Sequence, residues 1–201
     1  MQQIFTLGKR GGVDTSPLLR FFNFFSVMIE NKIEEILLEK FQEEEFQDCM
    51  LIEISMTSRN TIEVILDADE GLTLEKCQRI SRHVENWLDT EGVSGGLINN
   101  DYTLEVSSPG VSRPLMYPRQ YTKHIGRTLE LTLKPVVIAE QETPSEEPMK
   151  LEGKLQAVDN QAVTIEYEEV RKEGKKKIKE NIMKIIPFET IHKALVKISF
   201  K

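Results

Sequence analysis

Hydrophobic residues recur at helical spacing in residues 30–46, and glutamates occupy most of the positions between them. This pattern predicts an amphipathic helix with one face packed on a core. Residues 50–56 and 61–67 are rich in large apolar and β-branched side chains, and four polar residues separate them. The two segments therefore predict a β-hairpin with a short connection.

A second helix is predicted from Leu74 to about Asp89, after an N-cap at Thr73. Residues 102–106 then alternate large and polar side chains, as in a strand with one buried face. The order helix–strand–strand–helix–strand predicts an α+β layer, with two helices on one face of a small sheet. The apolar stripe of the second helix predicts buried side chains at Leu74, Cys77, Ile80, Val84, Trp87 and Leu88.

The second half of the chain contains several short alternating segments joined by tight polar turns. Such a pattern predicts a small all-β barrel. We therefore expect an N-terminal α+β domain over residues 28–112 and a C-terminal β-barrel domain over residues 113–201. A polar stretch at 139–149, rich in proline and glutamate, predicts a loop. The predicted strands are residues 126–133, 149–158, 162–170, 178–186 and 191–200.

Residues 1–27 carry no helical or strand period in their first part and a short apolar run at 21–25. We interpret them as an extension, either disordered or upstream of a true start at Met28. An export signal is an alternative, although no small-x-small cleavage pattern follows the apolar run. No run of about 18 apolar residues occurs, so the sequence predicts no membrane span.

The net charge of −7 is unevenly distributed. Residues 28–112 hold 6 Lys/Arg against 19 Asp/Glu, whereas residues 164–201 hold 10 against 6. The acidic part favours basic partners and the basic part favours phosphate. The basic residues cluster at a predicted hairpin tip, which we hypothesise contacts phosphate; an ordinary solvated turn is the alternative. The cluster, called the basic hairpin below, is Arg171, Lys172, Lys175, Lys176, Lys177 and Lys179.

No catalytic motif is recognisable in the sequence. There is no Gly-rich phosphate loop, no metalloprotease motif and no nucleophile motif, and the three histidines are scattered. Cys49 and Cys77 are far apart and form no C-x-x-C pattern, which argues against a metal knuckle. We predict a protein that is not an enzyme, with no metal, cofactor or small-molecule substrate, and a reducing cytoplasm as its setting.

A stiff corner is predicted after the strand at 102–106, and we call residues 107–115 the elbow. Ser107 and Ser108 end the strand, Pro109 presets its φ, and Gly110 is free to adopt a positive φ. Pro114 biases Arg113 toward an extended backbone. Arg113 is then well placed to bind a partner, or to hold the two domains together by pairing with a first-domain acid. A plain interdomain corner is the third possibility.

The run DYTLEVSSPGVSRPL at 101–115 resembles the signature of the ribosome maturation factor RimP family, Y-x-L-E-V-S-S-P-G followed by L-D-R-P-L. Two positions depart from it: Val111 replaces leucine, and Ser112 replaces aspartate. Residues 71–82 resemble the family's G-I-T-L-D-D-C…S-R helix entry, and residues 187–191 resemble its P-F-x-x-I. The resemblance covers about residues 28–201.

This resemblance implies a KH-like N-terminal domain and an SH3- or Sm-like C-terminal barrel. It implies a monomeric, cytoplasmic assembly factor that binds the immature small (30S) ribosomal subunit and assists its late maturation. The expected partners are 16S rRNA and the twelfth small-subunit protein, at the decoding region, contacted mainly through the barrel. We hypothesise that Ser107, Ser108, Pro109, Gly110 and Arg113 contact the ribosome. An Sm-like RNA-binding regulator acting without ribosomes, or an adaptor without RNA contact, remains an alternative.

Overall fold

The computed structural model describes residues 17–57, 60–135, 149–173 and 176–198, with backbone alone at 17–24, 171–173 and 176–178. The first half forms a three-stranded sheet with two helices, and the second half forms a five-stranded antiparallel sheet, which confirms the predicted α+β class. The main elements are α1 (Pro17–Lys40), β1 (Cys49–Met56), β2 (Thr61–Ala68), α2 (Leu74–Trp87), β3 (Thr103–Ser107), α3 (Pro118–Tyr121), β4 (Thr128–Leu133), β5 (Met149–Val158), β6 (Ala162–Glu173), β7 (Lys176–Pro187) and β8 (Ile191–Val196).

In the first sheet, β2 lies between an antiparallel β1 and a parallel β3. The parallel pairing follows from α2, which carries the chain back to the starting end of the sheet. Helix α1 contacts β1, α2 contacts β3, and the helices contact each other, so both cover one face. Ile62, Val64 and Leu66 of β2 are fully buried in that core. Because side chains alternate along a strand, Asp67 points to the opposite face.

Two details of the predicted helices were wrong. Helix α1 begins at Pro17 rather than residue 30 and ends at Lys40, followed by a 3-10 turn at Glu44–Phe46. Its early start follows from Pro17, which suits a first helical position, and from the run of leucine and phenylalanine after it. Leu74 is 75% exposed rather than buried, because it is the first residue of α2 and precedes the part that contacts β3.

The second sheet has the order β7-β6-β5-β4-β8 with antiparallel neighbours throughout. All five strands were predicted, although β6 and β7 are longer than expected and β8 ends at Val196. Its core contains alternate residues of the central strands, among them Leu129, Leu131, Leu155 and Ile165. Most of the predicted loop at 139–149 lies outside the described residues. Within the described residues, no helix is long and apolar enough to cross a membrane.

The described part of α1 keeps its buried side chains at or after residue 29. Ile29, Ile33 and Leu37 are fully buried, whereas Phe25 is 39% exposed. A chain that begins at Met28 should therefore melt within about 2–3 °C of the full chain, since trimming weakly packed termini costs little. Calorimetry of the two chains checks this. A much larger fall, reproduced by Phe25→Ser in the full chain, would show instead that Phe25 contributes substantially to the core.

Candidate functional site at the joint between the two sheets

The elbow contacts both sheets. It leaves β3 at Ser107, and Gly110 has φ of +60°, which confirms the predicted positive φ at this glycine. At its other end, the backbone N–H of Leu115 donates to the carbonyl of Ala194 in β8, over 2.9 Å. The elbow is therefore fixed to the first sheet at one end and to the second at the other.

Arg113 lies against the first sheet. Its Nη1 donates to Glu53 of β1, and its Nη2 is 3.8 Å from Glu63 Oε2 of β2. Pairing of Arg113 with first-domain acids was one of the hypotheses drawn from the sequence. The side chain remains 37% exposed, so both acids share the guanidinium with solvent. Exposed pairs of this kind contribute at most about 1 kcal/mol to stability.

A buried polar cluster, which we call the Asp67 joint (Asp67, Gln120 and Lys123), lies between the sheets. Asp67 is only 3% exposed, at the end of β2. Its Oδ2 accepts from Gln120 Nε2 over 2.9 Å, and its Oδ1 accepts from Lys123 Nζ and, over 2.9 Å, from the N–H of Ala68. Burial alone raises the pKa of Asp67, but these hydrogen bonds outweigh it and hold the pKa below its ordinary value.

Gln120 extends this cluster to the backbone that leaves the elbow. Its side chain is fully buried, and its Oε1 accepts from the N–H groups of Met116 and Tyr117, over 2.8 and 3.1 Å. One amide therefore satisfies a buried carboxylate and two backbone donors at once. This arrangement fixes the direction in which the chain enters the second sheet.

Arg119 forms a second, more exposed link. Its Nε and Nη2 donate to the two carboxylate oxygens of Asp69, over 2.5 and 2.6 Å, and Nη2 also donates to the carbonyl of Gln47 over 3.1 Å. A guanidinium fork on a carboxylate adds orientation to charge attraction. Within the described residues, the buried contacts of the Asp67 joint and the surface pairs of Arg113 and Arg119 all link the two halves.

Helix α3, which supplies Arg119 and Gln120, and the 3-10 turn that supplies Lys123 were not predicted from the sequence. Only strands were expected after Pro118. A local indication was present: Pro118 occupies the first helical position, and Gln120 reaches back to the N–H of the preceding Tyr117. Four helical residues are too few for a hydrophobic period, so the pattern of apolar positions does not reveal them.

A cleft of about 280 Å³ opens between the elbow and the Asp67 joint. His124 lines it, and its Nδ1 is buried without a hydrogen-bond partner among the described residues. Burial and the nearby cations Lys123 and Arg127 hold the pKa of His124 below its ordinary value, which favours a neutral imidazole at pH 7. The cleft therefore combines an unpaired imidazole nitrogen with the partly exposed guanidinium of Arg113.

The predicted site residues fall into two separate groups. Ser107, Ser108, Pro109, Gly110 and Arg113 lie together on the elbow. The basic hairpin lies where β6 ends and β7 begins, and these strands are at the opposite end of the strand order from β8, which the elbow contacts. Lys175 lies outside the described residues, as do the side chains of Arg171, Lys172, Lys176 and Lys177. Lys179 is described, and its Nζ lies 2.8 Å from Glu168 Oε1 on β6.

Comparison with known proteins gives consistent matches. A family model described as "RimP N-terminal domain" matches residues 37–112. A Christiangramia forsetii protein is 33% identical over 175 residues, covering 86% of this chain and 100% of the relative. A Flavobacterium psychrophilum protein is 35% identical over 173 residues, covering 85% and 98%. Both are named "Ribosome maturation factor RimP", as is a Cytophaga hutchinsonii protein that is 31% identical over 181 residues, covering 86% and 96%.

This chain belongs to the RimP family. The membership confirms the resemblance read from residues 101–115 and 71–82. The matched family model ends at Ser112, within the elbow, so it includes the turn at Gly110. Asp67 lies within the matched family model. Its partners Gln120 and Lys123 lie beyond residue 112, where that match ends.

Proposed function

We propose that this protein is a ribosome assembly factor that binds the immature small (30S) ribosomal subunit and assists its late maturation. The observation that carries the proposal is that full-length relatives at 31–35% identity bear the name ribosome maturation factor. Under this proposal the protein acts in the cytoplasm as a monomer, and it orders its partner by binding rather than by catalysis. No small-molecule substrate or cofactor takes part.

The proposal includes a finer assignment of the two halves, with a boundary between residues 112 and 113. We take the first as KH-like, because its helix–strand–strand–helix–strand order includes a parallel third strand. We take the second as an SH3- or Sm-like barrel, because its strands are antiparallel and packed around one core. Gly153 supports this, since the backbone of β6 approaches it so closely that a side chain has no room.

Charge supports a mixed protein and RNA partner. The strongly acidic residues 28–112 suit a basic ribosomal protein, for which the family resemblance suggests the twelfth protein of the small subunit at the decoding region. The basic residues 164–201 suit 16S rRNA. A ribosomal subunit presents both kinds of surface side by side.

We expect Arg113 of the elbow to contact the subunit. Arg113→Ala should change the free energy of unfolding by no more than about 1 kcal/mol, because its salt bridges are exposed. It should weaken binding to small subunits by about 1–3 kcal/mol, since the charged hydrogen bonds to the partner can no longer form. The measurement is the affinity for purified immature subunits, beside urea unfolding followed through the single tryptophan, Trp87.

Arg79→Ala is the matched control. Arg79 is similarly exposed, 40% against 37%, and also pairs with a glutamate, but it lies on α2 away from the elbow. We expect it to leave subunit affinity unchanged. If both variants bind small subunits as tightly as the parent chain, Arg113 does not belong to the proposed contact surface.

The basic hairpin is expected to contact phosphate. Replacing Lys175, Lys176 and Lys177 with glutamine should weaken subunit binding and flatten its dependence on salt, by about 0.7–0.9 in log–log slope for each phosphate that is no longer neutralised. The same change at Lys32, Lys150 and Lys154 provides a control of equal charge. Affinity that is unchanged at every salt concentration would identify the hairpin as a solvated turn.

An Sm-like RNA-binding regulator acting without ribosomes is the second candidate, favoured by the basic hairpin on an antiparallel second sheet. Two binding measurements separate the candidates. Capture of intact immature subunits with weak binding of free RNA supports the assembly factor. Tight filter binding of free RNA without subunit capture supports the regulator, and subunit capture that is insensitive to RNA removal supports a protein-only adaptor.

A further inference from the structure

A second cavity adjoins the end of the elbow. Pro114 and Leu115 line both this cavity and the cleft. This second cavity, which we call the second-sheet pocket, has a volume of about 340 Å³, within the range of small-ligand sites. It brings together the end of the elbow and the residues after β7, which are far apart in the sequence. Its apolar walls include Leu115, Met116, Tyr121, Phe188 and Ile191.

Backbone hydrogen bonds hold both walls of this pocket in place. On one side, the N–H of Leu115 donates to the carbonyl of Ala194, and the N–H of Met116 donates to the side-chain Oε1 of Gln120. On the other side, the N–H of Phe188 donates to the carbonyl of Gln161 over 2.9 Å. The rings of Tyr121 and Phe188 meet edge to face, with centroids 5.1 Å apart. The pocket is therefore preformed, which reduces the entropic cost of filling it.

The rim of the pocket carries the positive charge of Lys193. His192 and Lys193 line it, and its described lining contains no aspartate or glutamate. Lys193 is exposed, and within the described part of the chain its ammonium has no salt bridge or hydrogen bond. Lys32, Lys40, Lys76, Lys123, Lys179 and Lys197 are paired with carboxylates, whereas Lys193 belongs with Lys134, Lys150, Lys154 and Lys184, which have no salt bridge among the described residues. An unpaired cation beside an apolar pocket suits a ligand that is apolar at one end and anionic at the other.

We propose that the second-sheet pocket binds one unpaired base of single-stranded RNA, with Lys193 on the adjacent phosphate. RNA that is not base-paired offers apolar planar bases flanked by phosphates, and proteins bind it by combining aromatic surfaces with cations. An acidic peptide carries the same charge but lacks a planar group at each repeat, so we favour RNA. The inference rests on the proposed function, in which ribosomal RNA is the partner.

The test uses the full chain with its methionine methyl groups labelled with carbon-13. A single-stranded RNA of about six uridines, a typical site size, is the probe. A bound base should shift the Met116 methyl signal upfield through its ring current. Met183, which is also 63% exposed but lies on β7, should not move. An abasic oligonucleotide of equal charge and an acidic peptide containing leucine should leave Met116 without that shift.

Variants provide an independent measurement by fluorescence anisotropy of labelled RNA. Met116→Ala should weaken binding about fivefold, because the base loses the apolar contact of the Met116 side chain, whereas Met183→Ala should not. Lys193→Gln should reduce the log–log salt slope by about 0.7, the value for one phosphate on a single strand, whereas Lys184→Gln should not. All four positions are exposed, so none of these changes removes core packing.

The inference is overturned if RNA leaves the Met116 methyl unmoved up to millimolar concentration, or if the acidic peptide produces the same shift. Binding of purified subunits separates this failure from that of the proposed function. If the parent chain binds immature subunits but the Met116 methyl signal does not shift, only the proposed base pocket is contradicted. If the parent chain does not bind subunits, the proposed function is contradicted, whatever the result with the oligonucleotide.

Discussion

Replacing Asp67 with asparagine should lower the free energy of unfolding by about 3 kcal/mol, because it leaves a largely buried ammonium without its counter-charge. The side chain of Asp67 is 4% exposed and that of Lys123 is 17% exposed, so solvent replaces little of the missing interaction. Urea unfolding followed by Trp87 fluorescence measures the change, since Trp87 lies in the core of the first sheet. The double variant Asp67→Asn/Lys123→Gln should recover part of the loss.

Asp69→Asn is the matched control, two residues along the chain. Asp69 pairs with Arg119, but both side chains are more than 40% exposed, so we expect a loss below about 1 kcal/mol. Similar losses for the two variants would contradict the central position we give to the Asp67 joint. Small-angle scattering of the same proteins should show a broader envelope only for Asp67→Asn.

The effect of Asp67 should depend on pH in one direction. Its pKa in the folded protein is held below the ordinary value, so its stabilising contribution is fully present above the unfolded pKa of about 3.9. It is lost as the pH falls through the folded pKa. The stability difference between the parent and Asp67→Asn should therefore be constant near neutrality and shrink below about pH 4.

Gly153→Ala should cost about 3 kcal/mol, at the upper end of the usual range for overpacked cores. An added Cβ would collide with Ile165 and lie 2.6 Å from the carbonyl oxygen of Glu166 and 3.1 Å from Tyr167 Cβ. Strand β5 would have to move away from β6 to relieve these contacts. Calorimetry measures the change, because Trp87 lies on α2 in the core of the first half and does not report on the second sheet.

Lys154→Ala controls for the position in β5, since Lys154 is the next residue and is exposed. We expect it to change stability by less than about 0.5 kcal/mol. If Gly153→Ala were equally mild, the close approach of β5 and β6 would not be a constraint on the second sheet. The support that it gives to a barrel-like assignment would then be lost.

The strands were predictable because each has one buried face, and alternation along Thr128–Leu133 or Thr103–Ser107 reports that face directly. The turn of the elbow was predictable for a different reason: the backbone of Gly110 requires a positive φ, which few other residues adopt. These features depend on neighbours in the sequence. They can be recognised without knowing which distant residues pack against them.

The Asp67 joint could not be predicted in the same way. In the sequence, Asp67 is an acid at the end of a strand, which usually lies in solvent. It is buried because Gln120 and Lys123, more than fifty residues later, cover the second face of the first sheet. The short helix that carries Gln120 is stabilised by the same contacts. The sequence around Asp67 does not indicate a contact with Gln120 or Lys123, and the sequence around those two residues does not indicate a contact with Asp67.

The joint gives the proposed function a structural basis. The elbow, the cleft and the second-sheet pocket share Pro114 and Leu115, and the polar contacts of Asp67 and Asp69 fix the adjoining backbone. A surface built in this way presents residues of both halves in a constant arrangement. Under the proposed function, this constancy lets one small protein bind RNA and ribosomal protein together.

The most direct test of this account is the ribosome profile of cells that lack the protein. Sucrose-gradient sedimentation at low temperature should show free small subunits accumulating at the expense of whole ribosomes, with unprocessed small-subunit RNA in the free fraction. Re-expression of the parent chain should restore the profile, and the Arg113→Ala chain should restore it less completely. A normal distribution of subunits and fully processed RNA in the deleted strain would contradict the proposed role in small-subunit maturation.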